Sequence, residues 1–278
     1  MIKFENTEVV GWESAIRGMR NPMNSWEKSD SGYGCDEYPQ YTCAHCGAYD
    51  DTYAECPGTQ KYKIGPNDLD LMTLLRNAGT DHRKFMRMIT VYVDITAPLY
   101  WWKEFDTYKV GTVANSCSTM HKIADHEFTL EDFSYEHLVN TYTLEQVIHD
   151  LNFWRHAYLI KDDLERKEYI STRFDPELVP SDLSRKDCWW QMIQLLPSSY
   201  NQKRTVMLNY EVLSNIYKSR RNHKLDEWSE HKEQLYITDR EDIKRESIEG
   251  QFGFCDWIKT LPYSELITGI VPDEKEEV

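Results

Sequence analysis

The chain has 278 residues and a formal net charge of −15, from 47 acidic side chains against 32 lysines and arginines. This acidity argues against general binding to nucleic acid, which needs cations clustered against phosphates. No apolar run reaches the ~18 residues of a membrane span, and the N-terminus lacks the apolar centre of a signal peptide. We therefore expect a cytoplasmic protein with a full apolar core, no membrane partner, and seven cysteines that are not paired as disulfides.

The first part of the chain reads as a short strand and a helix, followed by a segment of a different kind. Within residues 1–28, Trp12, Ile16 and Met19 recur at helical spacing. Residues 29–63 are rich in cysteine, glycine and tyrosine and show no clear hydrophobic period. We expect one domain over residues 1–278, with 29–63 as an insertion.

Four cysteines in this insertion form a candidate metal site. Cys43 and Cys46 make a CxxC pair followed by glycine, and Cys35 and Cys56 flank the pair. Four thiolates at such spacing can close a tetrahedral zinc site, and His45 could replace one of them. The alternative is a set of unrelated free cysteines, because the outer spacings are loose. A closed site of this kind has no open position for a substrate, so zinc here would be structural.

The central segment predicts a helix, a strand and a second helix. Leu69–Asn77 is expected to be helical, with Asn67 or Asp68 as its cap. The β-branched, alternating run Ile89–Ile95 predicts a strand, which Ala97-Pro98 ends. Leu99–Phe105 follows as an aromatic, buried helix, and a small polar cluster, Asn-Ser-Cys-Ser, stands at 115–118.

The last part of the chain reads as mainly helical. Residues 134–140, 144–164 and 188–196 are expected to be helices, with a charged link over 174–184. After Pro197 we expect one further helix, reaching to about Trp228, with apolar residues at helical steps. Asn209 and Asn215 lie within it, although asparagine has weak helix propensity and competes for backbone hydrogen bonds. The whole is a helix-rich α/β (α+β) chain with few strands.

Two of these segments resemble one known family. The order Leu-Pro, Asn209, Asn215, Arg220, His223 is similar to the C-terminal motif of flavin-dependent thymidylate synthases. The order of elements over 79–121, with His82, the strand, Ala-Pro, the aromatic helix, Asn115 and Ser118, resembles a second motif of that family. The resemblance implies a curved, mainly antiparallel sheet surrounded by helices, and a homotetramer with sites between subunits. It also implies FAD as cofactor and conversion of dUMP to dTMP, using methylenetetrahydrofolate and NADPH.

The resemblance assigns roles residue by residue. Asn115, Asn209 and Asn215 would hold the flavin, and Lys109 and His82 would assist them. The candidate catalytic residues are Ser118, which would reach the nucleotide, and Arg220, which would hold the carbonyl edge of the uracil.

The chain also departs from the family pattern. Thr107-Tyr108-Lys109 stands where the family has Arg-His-Arg, Ser116 replaces a glutamate, and Met120-His121 replaces Arg-Tyr. Glu104 occupies the place of a glutamine near the substrate. Either the ligand differs, or phosphate recognition moves to another cation: Lys109, Lys122, Arg204 or Arg220. Two alternatives to thymidylate synthesis stay open: a zinc-containing binding module, and modification of a different pyrimidine.

Overall fold

The computed structural model of the protein describes residues 2–35, 60–180, 182–231 and 252–269. The strands are β1 (Lys3–Val10), β2 (Gly32–Cys35), β3 (Gln60–Lys63), β4 (Thr90–Pro98), β5 (Val113–Ser116) and β6 (Asn201–Asn209). The helices up to the middle of the chain are α1 (Trp12–Arg20), α2 (Pro66–Asn77), α3 (Leu99–Phe105), α4 (Thr119–Lys122) and α5 (Tyr142–Leu159). They are followed by α6 (Asp163–Ser171), α7 (Arg185–Leu195), α8 (Tyr210–Arg220), α9 (Phe254–Lys259) and α10 (Glu265–Thr268).

An antiparallel sheet with the strand order β1-β4-β6-β5 organises the fold. The two central strands pair along their whole length, from Thr90 opposite Asn209 to Pro98 opposite Asn201. In β4, alternate side chains enter the core, and Val91, Val93 and Ile95 are all buried. The architecture is therefore mixed helix and antiparallel sheet, which confirms the predicted fold class.

The apolar residues form a main core beside the sheet and smaller cores among the helices. α3 lies in the main core, where the ring of Trp101 stacks on Trp228 with centroids 4.4 Å apart. A second core joins the α4 region to α5 and α7 through Phe128, Leu151 and Met192. The predictions of a strand at 89–95, a buried aromatic helix at 99–105 and a helix ending before Pro197 are confirmed.

The single helix predicted after Pro197 is wrong, because its first part is strand β6. Val206 and Leu208 are buried while Thr205 is exposed, which is the period of a strand with one buried face. Position 209 ends the strand, and α8 begins at Tyr210. The apolar spacing across this junction satisfies both a helix and a strand, so periodicity alone did not separate them.

Three other local predictions also differ from the structure. Residues 134–140 are not helical, because Ser134 bonds through its amide to the carbonyl of Ser199, 2.9 Å away, beside the start of β6. The helix predicted over 144–164 ends at Leu159, and Asp162 caps a separate α6. Neither predicted cap serves α2, whose first residue is a proline. Asp68 is instead buried, and its carboxylate accepts a 2.6 Å bond from Arg20.

Two short antiparallel strands lie at the ends of the cysteine-rich segment 29–63, whose status as an insertion stays a prediction. β2 pairs with β3, and Cys35 stands opposite Gln60 in the register. The other predicted zinc ligands, Cys43, Cys46 and Cys56, lie outside the described residues. The described part of the chain holds no cluster of three or more metal-ligating side chains. Within that part, no helix has the length and apolar character needed to cross a membrane.

Candidate active site

The end of α8 is joined to Glu104 of α3 and to Tyr108 by side-chain hydrogen bonds of Arg220, and these bring the two predicted motifs together. Arg220 donates from Nη1 to Oε2 of Glu104 at 2.6 Å and from Nε to the hydroxyl oxygen of Tyr108 at 2.8 Å. Its guanidinium carbon lies 5.0 Å from the ring centroid of Trp228. The side chains of Arg220 and Glu104 are 17% and 34% exposed, so the pair is partly buried but reachable by a ligand.

His223 completes this cluster. Its Nε2 lies 2.7 Å from Nη1 of Arg220 and 3.3 Å from Oε2 of Glu104. Its Nδ1 accepts the backbone amide of Leu225 at 3.1 Å. Because Nδ1 accepts, Nε2 carries the proton of the neutral ring and donates to Glu104, so the imidazole is held at both nitrogens.

Only one of the two adjacent arginines enters the cluster. Adjacent helical residues are about 100° apart around the axis, so a pair cannot face the same way. Arg221 is exposed, whereas Arg220 makes the contacts above. Of the two arginines, Arg220 is the one predicted to contact the pyrimidine, and that role stays a prediction.

Asn209 lies at the junction of β6 and α8 and contacts the loop that leads to β5. Its side-chain oxygen accepts the amide of Val212 at 3.0 Å, and its nitrogen lies 3.5 Å from the carbonyl oxygen of Gly111. Gly111 has φ +79°, and a Cβ there would lie 2.9 Å from the Asn209 nitrogen. A residue without a side chain is therefore needed for this close approach.

A second charged group lies at the first turn of α8, where Glu211 is buried. Glu211 accepts hydrogen bonds from Arg87, and from Nε of Arg83 at 3.4 Å. Arg83 also donates from Nη2 to Oδ1 of Asn215 at 3.2 Å. Burial alone would raise the pKa of the Glu211 carboxyl, but the bonds and charges of the two arginines outweigh it and lower the pKa. Two guanidiniums share one carboxylate, so this group keeps a positive excess next to Asn215.

Asn115 and Ser118 lie at the far edge of the sheet. Asn115 is exposed on β5, opposite Thr205 of β6. Ser118 caps α4, and its hydroxyl oxygen accepts the amide of His121 at 3.3 Å. Beside α4 lies a cavity of about 460 Å³, lined in part by His121 and Arg155. Among the described residues, no contact connects Ser118 to Arg220.

The four cations that were candidates for phosphate binding differ in their availability. Lys122 pairs with Asp125 at 2.8 Å, and Arg204 pairs with Asp106 at 2.8 Å while lying over the ring of Trp102. Arg220 pairs with Glu104. Within the described ranges Lys109 is exposed and forms no ion pair. His82, predicted to assist with the cofactor, is exposed just before the short 3-10 helix Arg83–Arg87.

Several members of these groups were not predicted from the sequence. The sequence pattern marks Tyr108 only as the residue in place of a family cation, and it points to neither Glu211 nor Arg87. Each of these side chains contacts a residue that is distant in the sequence. Tyr108 is 112 residues from Arg220, and Arg87 is 124 residues from Glu211. The signal that could have pointed to Glu211 is an acidic residue in the first turn of a helix, next to an asparagine cap.

Comparison with known proteins gives a distant likeness. No family model matches the chain, and no curated protein matches it. Two crystal structures of flavin-dependent thymidylate synthase from Helicobacter pylori with FAD and dUMP resemble it with a TM-score of 0.43. One is 13% identical and covers 81% of this chain and 86% of that one, and the other is 14% identical with 80% and 86% covered. Likeness at this level assigns no activity to this chain.

Proposed function

We propose that the protein is a flavin-dependent enzyme that methylates a pyrimidine nucleotide, most simply dUMP to dTMP. Methylenetetrahydrofolate would supply the carbon and NADPH the reducing equivalents. The observation that carries the proposal is the contact between the two resembling motifs. Arg220 of the C-terminal motif binds Glu104 and Tyr108 of the 79–121 segment, and Asn209 reaches Gly111 of that segment.

The residues around α8 have the chemistry that a flavin dinucleotide requires. Asn209 and Asn215 present side-chain amides, which can donate to and accept from ring atoms. Arg83 and Arg87 leave a positive excess after pairing with Glu211, which suits a pyrophosphate. These residues would hold FAD, which when bound supplies the hydride for the methylation.

The pyrimidine would lie at Arg220. In this position the guanidinium would donate to a carbonyl oxygen of the ring and stabilise negative charge that develops there. Trp228 and Tyr108 hold the guanidinium in place, so little reorganisation is needed during the reaction. Lys109 and Ser118 are the groups left to contact the phosphate, since the other candidate cations are paired with acids.

Two further features belong to this proposal. The family resemblance favours a homotetramer, in which residues of one subunit complete the site of another. A zinc ion held by Cys35, Cys43, Cys46 and Cys56 would order the insertion at 29–63. The zinc ion would be structural and would take no part in the chemistry at Arg220.

Reconstitution with FAD tests the proposed class. The purified full chain is incubated with FAD, freed of unbound flavin by gel filtration, and examined by absorption spectroscopy and for dTMP formation from dUMP. We expect a yellow protein that produces dTMP when methylenetetrahydrofolate and NADPH are present. A colourless protein would contradict the flavoenzyme and favour the zinc-containing binding module. A yellow protein without dTMP would contradict dUMP as substrate and favour a different pyrimidine.

A further inference from the structure

We infer that Glu104 is a specificity-determining residue, which accepts a ring N–H of the pyrimidine while Arg220 donates to the neighbouring ring atom. The inference rests on the proposed function and deepens it. The proposed function has one contact, from Arg220 to a carbonyl oxygen of the base. The inference adds a second contact, from a ring N–H of the base to Glu104.

The hydrogen bonds that Glu104 and Arg220 already make leave one acceptor and one donor atom for a ligand. Oε2 of Glu104 receives Nη1 of Arg220, and Nη1 is also 2.7 Å from His223. Nε of Arg220 is directed to Tyr108. Among the described residues, Oε1 of Glu104 and Nη2 of Arg220 have no hydrogen-bond partner, and both side chains are partly exposed. A carboxylate oxygen can only accept and a guanidinium nitrogen can only donate, so the pair offers one acceptor beside one donor.

A pyrimidine base has the complementary edge. Uracil carries a ring N3–H between two carbonyl oxygens, so Glu104 can accept the N–H while Arg220 donates to an adjacent carbonyl. Cytosine offers the same pair in the opposite order, with an amino group for Glu104 and N3 for Arg220. The pair therefore selects a base whose N3 carries no substituent, and it does not by itself separate uracil from cytosine.

Charge decides which part of a nucleotide lies at Arg220. The guanidinium is neutralised by Glu104 at 2.6 Å, and a phosphate placed there would lie close to that carboxylate. Like charges at such short distance repel strongly in a partly buried site. An uncharged base meets no such repulsion. Phosphate binding by Arg220, which the sequence left open, is therefore disfavoured.

The pair is also held rigidly. The guanidinium lies over the rings of Trp228 and Tyr108, with centroids 5.0 and 5.6 Å from its central carbon. Trp228 is itself fully buried and stacked on Trp101 of α3, the helix that carries Glu104. The Arg220 donor and the Glu104 acceptor are therefore both held in place by the same cluster of aromatic rings. Such preorganisation favours discrimination between ligands.

The test is calorimetric binding of dUMP and of its N3-methyl analogue to the flavin-loaded full chain. Methylation removes the N–H and leaves the Glu104 oxygen without a partner, so we expect the analogue to bind roughly tenfold more weakly or worse. Glu104→Met removes the acceptor and keeps the length of the side chain. In this variant dUMP should bind about as weakly as the analogue. Lys103→Met, at the exposed neighbouring position, is the matched control and should keep the discrimination.

The outcomes separate this inference from the proposed function. If the wild-type protein binds dUMP and its methyl analogue equally well, the role of Glu104 is wrong while the pyrimidine site survives. The same conclusion follows if Glu104→Met keeps the full preference for dUMP. If neither dUMP nor dCMP binds to the wild-type protein, both proposals fail. Because the wild-type comparison is decisive alone, a variant that does not fold leaves the inference testable.

Discussion

Asn209 caps α8 by accepting the backbone amide of Val212 at 3.0 Å. Replacing an asparagine cap by alanine costs about 1 kcal/mol. We predict that Asn209→Ala lowers the free energy of unfolding by about this amount, measured by denaturant titration. Asn209→Asp keeps the accepting oxygen and should stay close to the wild-type stability. A full loss in the aspartate variant as well would show that the cap is not the stabilising contact.

The flavin contact of α8 is tested separately from its stability. Asn215 is exposed and bonds to Arg83, so Asn215→Ala should change stability little. Loss of one amide contact costs about 0.5–1.5 kcal/mol of binding free energy, so FAD should bind roughly three- to tenfold more weakly. Asn209→Asp, which lacks the side-chain N–H groups, should show a similar loss. Flavin titrations with unchanged affinity in both variants would remove the asparagines from the cofactor site.

The carboxylate of Glu211 links α8 to Arg83 and Arg87. Its pKa is lowered in the folded protein, where the bonds and charges of the two arginines outweigh the effect of burial. The stabilisation is therefore complete above the unfolded pKa of about 4.3 and is lost as the pH falls through the lower folded value. We predict that Glu211→Gln costs about 1.5–3 kcal/mol at pH 7, and less as the pH falls below about 4.

A matched control for that experiment is the exposed ion pair of Glu13 with Arg17, at 3.7 Å. Exposed pairs of this kind contribute little, so Glu13→Gln should leave the stability nearly unchanged. If Glu211→Gln lowered the free energy of unfolding by the same amount at every pH, the negative charge of Glu211 would not be the stabilising feature.

The cysteine-rich insertion predicts one zinc per chain. Residues 29–63 have few aliphatic core formers, so metal binding would supply the free energy that orders the segment. Elemental analysis of protein prepared under reducing conditions without chelators should find one zinc, and Cys43→Ser should remove it. Cys117→Ser changes an exposed free cysteine outside the insertion and should keep the metal. Protein without zinc would show that the four cysteines do not form a metal site.

The sheet shows which parts of the fold the sequence could predict. β4 was predicted because Val91, Val93 and Ile95 alternate with polar residues and a proline ends the run. β6 was missed because its apolar residues continue into α8 without a break in apolar character. The chain changes from strand to helix at Asn209, whose side chain caps the helix. This capping bond is local and does not alter the spacing of the apolar residues.

The candidate site was predictable only in part. Motif order pointed to Arg220, and the structure places this side chain in a partly buried cluster. Its partners Glu104 and Tyr108 lie 116 and 112 residues away, and their contact with Arg220 depends on the tertiary packing of the whole chain. The charge balance that decides between base and phosphate follows from that packing, so no local pattern could predict it.

The central claim is that Arg220 binds the base of a pyrimidine nucleotide, and calorimetry with dUMP tests it most directly. Arg220→Ala removes a charged hydrogen bond worth about 1.5–3 kcal/mol, so we predict at least about a tenfold loss of dUMP affinity with FAD still bound. Arg221→Ala, one position along the helix and exposed, should bind dUMP nearly as the wild type does. Equal, small effects of the two substitutions, or no binding of dUMP to the wild-type protein, would contradict the claim.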